Sequence, residues 1–573
     1  MSSITMQRMG KYTYLNVSES FWDPAKKRPD NDKVRIGKID LQTGEPVYKQ
    51  EYLDKLAAAG VSIEGMRVWD KSKEARGAIR GGPGNAAGAE TAEAILDSVK
   101  DFGVVYFLRE IAEKIGMLGI LRDAFPDMWR EVFALACYLV AEERTVMYCE
   151  EWASSNAGLD AGSMSSQRVS DLLAAFGCQE RNDFYKAWHG LIRSREYIAL
   201  DITSVSSYSG QIGACEWGHN RDGEDLPQVN ICMLFGEDSK LPVYQTVYSG
   251  SLTDVTTLRA TIEEFAALVG KVDIMVVMDK GFFSIKNIKL LLNGDGGKHL
   301  YRFLIGVPFT SDLAKELVER ERMDIDSIEN VVLTNGSPIR GKHKQCDWGC
   351  GVELNTHVFY NPEKAVKDRN ELFGYVTSLA REALVNPHNQ KLLNEYLHYL
   401  NIAWLRDPGG TVKSAVNEGV VSRELATAGW FVLLSNHIYD PQAAHDIYRM
   451  KDVVEKSFTR YKNSLGLDRL RVHGDERMNN KIFVAFIALI ITSAIHGTMK
   501  EKDLYKRMTF NKLILELAKL KSATVNGKVI LRPITKVQGD IFKAFDIRLP
   551  DYDTLEPTVP KKRGRKPKPK TEG

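Results

Sequence analysis

Near residue 196 the chain changes its hydrophobic period, and this change constrains the fold more than any other feature. Before it, apolar residues recur at three- and four-residue steps, as in Phe107, Ile111, Ile115 and Leu118, and again in Val132, Leu135, Ala136 and Leu139. That spacing places them on one face of a helix, so residues 91–195 read as mainly helical, either a DNA-binding unit or a plain helical bundle. After it, Tyr197–Thr203 is β-rich, and Val229–Phe235 and Leu241–Tyr248 are two more apolar runs. Thr253–Val269 reads as a helix with Leu258, Ile262, Phe265 and Leu268 on one face. A buried strand over Asp273–Met278, a helix over Ser284–Leu292 and a strand over Tyr301–Val307 follow. Three strands, then helix, strand, helix, strand, form an α/β signature. Mixed, partly polar sequence interrupts it from 308 to 427, and Gly429–Leu434 resumes as an apolar strand. Helices over about Pro441–Lys462 and Asn480–Gly497 come next. The expectation is an α/β core in two parts, 196–307 and 428–500, split by an insertion domain at 308–427.

The flanks are smaller. Val34–Asp40 alternates at period two and runs into the turn Thr43-Gly44-Glu45-Pro46, so residues 1–76 read as a small β-rich module. The Gly/Ala-rich stretch 77–90 reads as a linker, without the Gly-Lys-Ser/Thr ending of a phosphate-binding loop. A C-terminal region occupies 501–559. The whole chain carries 77 basic and 75 acidic side chains, but residues 560–573 alone hold seven Lys/Arg against one Glu. The remainder is net acidic, so any nucleic-acid contact by the body must come from local patches. In the tail, Arg563 and Arg565 sit in a run that resembles an AT-hook, with Lys566 displacing the expected proline. The plainer reading is a disordered basic tail that adds salt-sensitive, sequence-independent affinity; both readings imply contact with DNA. Seven scattered cysteines argue against a disulfide framework. The strongly apolar stretch Ile482–Ile495 is too short for a bilayer and reads as a buried helix, so no membrane partner is expected. The N-terminus has no apolar signal core, which points away from export.

Three acidic residues stand out by position. Asp201 lies inside an apolar strand, flanked by Leu200 and Ile202, where a lone carboxylate is costly unless it is paired or bound to a metal. Asp279 ends the run Ile274–Met278; taken alone it is a turn-forming Asp before Lys280-Gly281. Glu455 belongs to a pattern with Tyr448, Lys451 and Lys462. On one continuous helix these four fall at about 0°, −60°, −20° and −40°, a single narrow stripe. Taken alone, the stripe reads as a solvated face with intrahelical ion pairs.

Taken together, Asp201, Asp279 and Glu455, the last after a long interruption, resemble the Asp-Asp-Glu triad of transposases with an RNase H-like core. The stripe is similar to the Tyr-(2)-Arg-(3)-Glu-(6)-Lys signature of the IS-four superfamily of insertion-sequence transposases. Lys451 stands where that signature has Arg, keeping the charge without the bidentate fork. Further resemblance lies in Asp201-Ile202-Thr203-Ser204, Leu226-Pro227-Gln228-Val229 and Asp279-Lys280-Gly281-Phe282, over about residues 100–500, and weakly in Ile36-Gly37-Lys38.

The resemblance implies an RNase H-like mixed sheet, interrupted by the insertion and preceded by the helical region. It implies a two-metal site of Mg2+, with Mn2+ able to substitute, held by Asp201, Asp279 and Glu455, with Asp201 bridging. Tyr448, Lys451 and Lys462 would grip phosphate. The implied partners are transposon-end and target DNA, handled by a homodimer or larger synaptic complex in the bacterial cytoplasm, at the nucleoid. Two other functions share these residues: a metal-dependent nuclease that does not join strands, and a catalytically silent DNA-binding descendant of a transposase.

Weaker candidates remain. His343, Cys346, Cys350 and His357 invite zinc, but their spacing is loose and ordinary structural roles are favoured. Trp348 and Trp404 could stack on a flipped base, although a core Trp is the commoner case. Lys240, Arg259, Arg469, Arg471 and His473 could touch the DNA backbone or be solvated surface charge.

Overall fold

A computed structural model of the chain describes residues 3–9, 12–23, 28–40, 46–58, 68–70, 99–142, 144–192, 197–218, 220–221, 223–270, 275–293, 301–334, 337–386, 389–404, 412–449, 451–525, 528–551 and 553–554. The stretch 77–90 and the tail with Arg563 and Arg565 lie outside the described residues. Residues 1–98 and 99–573 are two compact units.

The first unit is a sheet of β1 (Ser3–Met9), β2 (Tyr12–Asp23), β3 (Arg28–Ile39), β4 (Pro46–Tyr48) and β5 (Val68–Asp70). Its order is β4-β3-β2-β1-β5. Alternation puts Leu15, Val17 and Ile36 into a small core, with Ile39, Tyr48 and Tyr52 packed against it.

The second unit opens with β6 (Val99–Asp101) and a run of helices, among them Gly103–Lys114, Met117–Ala124, Trp129–Ala141 and Cys178–Ile192. The periodic residues Phe107, Ile111 and Leu118 are buried. Much of this region packs around the helix Asp475–Glu501, where Phe483 meets the rings of Phe125, Phe184 and Tyr185 at 5.5, 5.3 and 5.6 Å. By length and composition that helix could cross a membrane, with mean hydropathy 2.1 over 18 residues, but 78% of that window is buried inside the protein. Its apolar character on every side reflects neighbours on every side.

The central sheet has nine strands. In chain order they are β7 (Tyr197–Ser206), β8 (Gln228–Gly236), β9 (Pro242–Ser249), β10 (Met275–Met278), β11 (Arg302–Val307), β12 (Val331–Thr334), β13 (Ser337–Asp347), β14 (Glu353–Tyr360) and, after an intervening ribbon of β15 (Leu400–Trp404) and β16 (Val412–Val416), β17 (Trp430–Ser435). Their order is β12-β13-β14-β17-β11-β10-β7-β8-β9. Strands β7, β8 and β9 are antiparallel, and β10 and β11 run parallel to β7. This mixed five-strand run is the α/β core expected from the sequence, and the fold class is mixed α/β. The chain closes with a small sheet in which β18 (Lys521–Val525), β19 (Lys528–Leu531) and β20 (Asp553–Thr554) join β6.

Two features differ from the sequence pattern. Strands β12–β14, drawn from the insertion, hydrogen-bond into the central sheet through β17, whereas the ribbon β15–β16 and the helix Pro362–Val385 stand outside it. The helix expected over Pro441–Lys462 is two helices, Pro441–Tyr448 and Lys451–Asn463. The single-helix stripe therefore does not extend from Tyr448 to Lys451, and Tyr448 reaches the site from a separate element.

Candidate active site

Parallel pairing aligns Leu200 of β7 with Met278 of β10, so the residues that follow, Asp201 and Asp279, emerge from neighbouring strands at the same level. Asp201 lies midway along β7, whereas Asp279 follows the last residue of β10, a strand end of the kind where ligand sites form in such sheets. Glu455 comes from the helix Lys451–Asn463, which packs across β7. Tyr461 anchors that helix: its hydroxyl lies 2.6 Å from Gln245 Oε1 on β9 and 2.7 Å from the carbonyl of Ile482. The preceding helix starts at Pro441 because Asp440 accepts from the backbone N–H groups of Gln442 and Ala443. The side chain of Gln442 binds both the N–H and the carbonyl of Leu333, fastening this helix to β12.

Lys451 is the centre of the group. Its ammonium lies 3.1 Å from Asp279 Oδ1 and 3.2 Å from Glu455 Oε1, and its side chain is only 8% exposed, against 57% for Glu455. Tyr448 donates to Asp279 Oδ1 at 3.1 Å. Tyr448 fits there because position 306 of β11 is glycine; a Cβ at that position would stand 2.6 Å from the Tyr448 hydroxyl.

The charges respond to this packing. Burial pushes the Asp201 carboxyl up to about 6, opposed by Lys451 and by the Ile202 N–H, which donates to Asp201 Oδ1 at 2.9 Å. Burial acts the same way on Asp279, but Lys451, the Lys280 N–H and Tyr448 outweigh it and hold that carboxyl below its usual value. For Lys451, burial favours the neutral amine, yet Asp279 and Asp201 overcome it and raise its pKa. Tyr448 is driven well above the usual phenol value, first by burial and then by Asp279. The result is a fixed cation among three acids from two strands and one helix.

These oxygen donors suit a hard divalent ion in chemistry and sign, and they already gather round one positive charge. Among the described residues no three His, Cys, Asp or Glu side chains are grouped closely enough to hold a metal as they stand, and the Lys451 ammonium contacts two of the acids, Asp279 and Glu455. A cleft of about 1150 Å3 opens beside them, lined by Asp279, Lys280, Trp430, Tyr448, Arg449 and Glu455 among others.

The other candidates are placed elsewhere. Lys462 is partly buried and lies near Glu224, which Arg469 also binds. Arg259 pairs with Glu263, Arg471 with Asp468, and His473 with Ser209. His343 pairs with Asn355 and His357 with the Ile438 carbonyl, so neither is poised for zinc. Trp348 is buried and donates to Thr356; the Trp404 side chain lies outside the described residues.

Two further residues shape the site, and only one of them carries a signal in the sequence. Arg221 lies within electrostatic reach of Asp201 from an irregular loop without periodicity. Gly306 does carry a signal, because an isolated glycine in an apolar strand marks a close approach.

A family model described as "Transposase DDE domain" matches residues 193–491, just over half of the chain. No curated protein matches the chain. Among solved structures, a piggyBac transposase synaptic complex with hairpin DNA, determined by cryo-EM, is similar at TM-score 0.33 and 11% identity. That likeness covers 68% of this chain and 70% of the other, and is too slight to bear on what this chain does.

Proposed function

Because the chain belongs to the DDE transposase family, whose members cut and join DNA with divalent metal ions, we infer that Asp201, Asp279 and Glu455 are its acidic triad. The reaction is cleavage at the ends of a mobile element, followed by attack of the freed 3′-OH on target DNA. The observation that carries the assignment is the shared ammonium: Lys451 is bonded to both Asp279 and Glu455 while its charge acts on Asp201. Residues so far apart in sequence meet round one cation only if the fold brings them together.

Asp201, Asp279 and Glu455 would hold a pair of divalent cations, with Mg2+ the natural choice and Mn2+ able to substitute. When bound, such a pair makes an attacking oxygen more anionic and stabilises a leaving oxygen. The chain's own groups supply the rest. Tyr448 and Lys280 orient Asp279, and Lys451, one of the residues lining the cleft, holds a cation beside the acids. Lys462 sits seven residues beyond Glu455 and suits a backbone contact further along the strand. Arg563 and Arg565 add affinity for DNA of any sequence. Two transposon ends must be handled together, which calls for a dimer or larger assembly on DNA, and the nucleoid is the natural place for it.

Asp201→Asn, Asp279→Asn and Glu455→Gln should each abolish Mg2+-dependent cleavage of the DNA flanking the gene. DNA binding should persist, because each change removes a negative charge that would face phosphate. Near-wild-type cutting by any one variant would remove that residue from the triad. A strand-transfer assay on pre-cut ends separates a transposase from a nuclease that does not join, and from a silent DNA-binding descendant.

A further inference from the structure

We infer that Lys451 is the resident counter-ion of the acidic group and that a divalent ion enters only as Lys451 leaves, so metal loading and presentation of Lys451 to DNA are one exchange. This rests on the reading of the three acids as metal ligands and extends it to how the site is loaded.

The geometry is specific. The ammonium is within 3.1 Å of an acid on the sheet and 3.2 Å of an acid on its own helix, and its side chain is almost wholly buried. The Tyr448 ring lies 5.9 Å from the same nitrogen. Asp279 Oδ1 therefore serves both Lys451 and Tyr448, and one oxygen each of Asp279 and Glu455 is already bound to the ammonium. An ammonium and a divalent ion repel strongly when both touch the same carboxylates, so the two occupancies exclude each other.

The released ammonium has a destination. Lys451 lines the cleft beside Lys280 and Arg449, so a phosphate lying there offers it a new anion. In DNA-free protein Lys451 then holds the acids together and lowers their affinity for metal. DNA in the cleft draws Lys451 away and raises that affinity, which gives reciprocal coupling between the two ligands.

The test is Mn2+ titration of the full-length, DNA-free protein, with free Mn2+ followed by electron paramagnetic resonance. Wild type is compared with Lys451→Met, Lys451→Gln and Asp279→Asn. The expected result is Mn2+ binding at least about tenfold tighter in both Lys451 variants, within the usual range of coupling effects. Equal or weaker binding by the Lys451 variants, with binding lost in Asp279→Asn, overturns the exchange and leaves the metal site standing. No Mn2+ binding in any of these proteins, or binding unaffected by Asp279→Asn, overturns the triad reading and the exchange together. If the Lys451 variants are unfolded without metal, recovery of their thermal transition in Mn2+ supports the exchange, and failure to recover overturns it.

Discussion

Tyr448 shows how much of this site depends on single atoms. Its hydroxyl donates to Asp279 and occupies space that only a glycine at 306 leaves open. Tyr448→Phe removes a hydrogen bond to a charged group, worth about 1.5–3 kcal/mol, and should slow cleavage at saturating Mg2+ roughly tenfold or more. Gly306→Ala should destabilise the protein by about 1–3 kcal/mol, because its Cβ would overlap that hydroxyl. The two changes are not independent. Removing the hydroxyl relieves the closest contact of the Cβ and leaves the Lys280 nitrogen at 3.1 Å and Cβ at 3.4 Å as the next nearest, so the double variant should unfold at a denaturant concentration above that expected from adding the two losses. The non-additivity should be at least about 0.5–1 kcal/mol in a urea-unfolding cycle, and strict additivity would mean that the two groups do not touch.

At the scale of elements, the helix Lys451–Asn463 carries Glu455 and Lys451, and its placement comes from packing partners elsewhere in the chain. Tyr461 ties it to β9 and to Asp475–Glu501. The connection between these two helices is held by Lys481, buried in the second, whose ammonium donates to the Leu470 carbonyl at 2.7 Å. Burial lowers Lys481 from its usual value to about 8. A lysine depressed in this way is more protonated in the unfolded chain than in the native one between about pH 8 and 10.5. Its contribution to stability is therefore complete above that window and is lost as pH falls through it. Urea unfolding of wild type and Lys481→Met should show the stability difference shifting in favour of wild type as pH rises from 8 to 10, by up to about 3 kcal/mol. A difference that does not change with pH would mean that Lys481 keeps its ordinary basicity in the folded protein.

At the scale of the molecule, charge and chemistry are separated along the chain. The matched domain and its acids lie within 193–491, while seven of the 77 basic residues fall in the last 14. Deleting residues 560–573 should weaken DNA binding without changing the pairing of β7 and β10. The slope of log affinity against log salt should flatten by about 0.9 for each phosphate that the tail no longer neutralises, as read by filter binding on duplex DNA. An unchanged slope would show that the tail leaves the phosphates untouched.

Local sequence determined the elements. The switch from helical to strand spacing near residue 196, the apolar runs that became β7, β8, β9, β10 and β11, and the i,i+4 pairing of Lys451 with Glu455 all depend on near neighbours. Such patterns are readable because side-chain period follows directly from backbone geometry. Tertiary structure decided the rest. Whether Asp279 would stand beside Asp201 depended on β10 choosing β7 as a parallel partner, a pairing that neither strand encodes alone. The division of one expected helix into two, the recruitment of β12–β14 from the insertion into the central sheet, and the meeting of Tyr448 with Gly306 were likewise settled by long-range packing. The physical reason is that periodicity specifies which face of an element is buried, whereas the identity of the partner that buries it is a property of the whole fold.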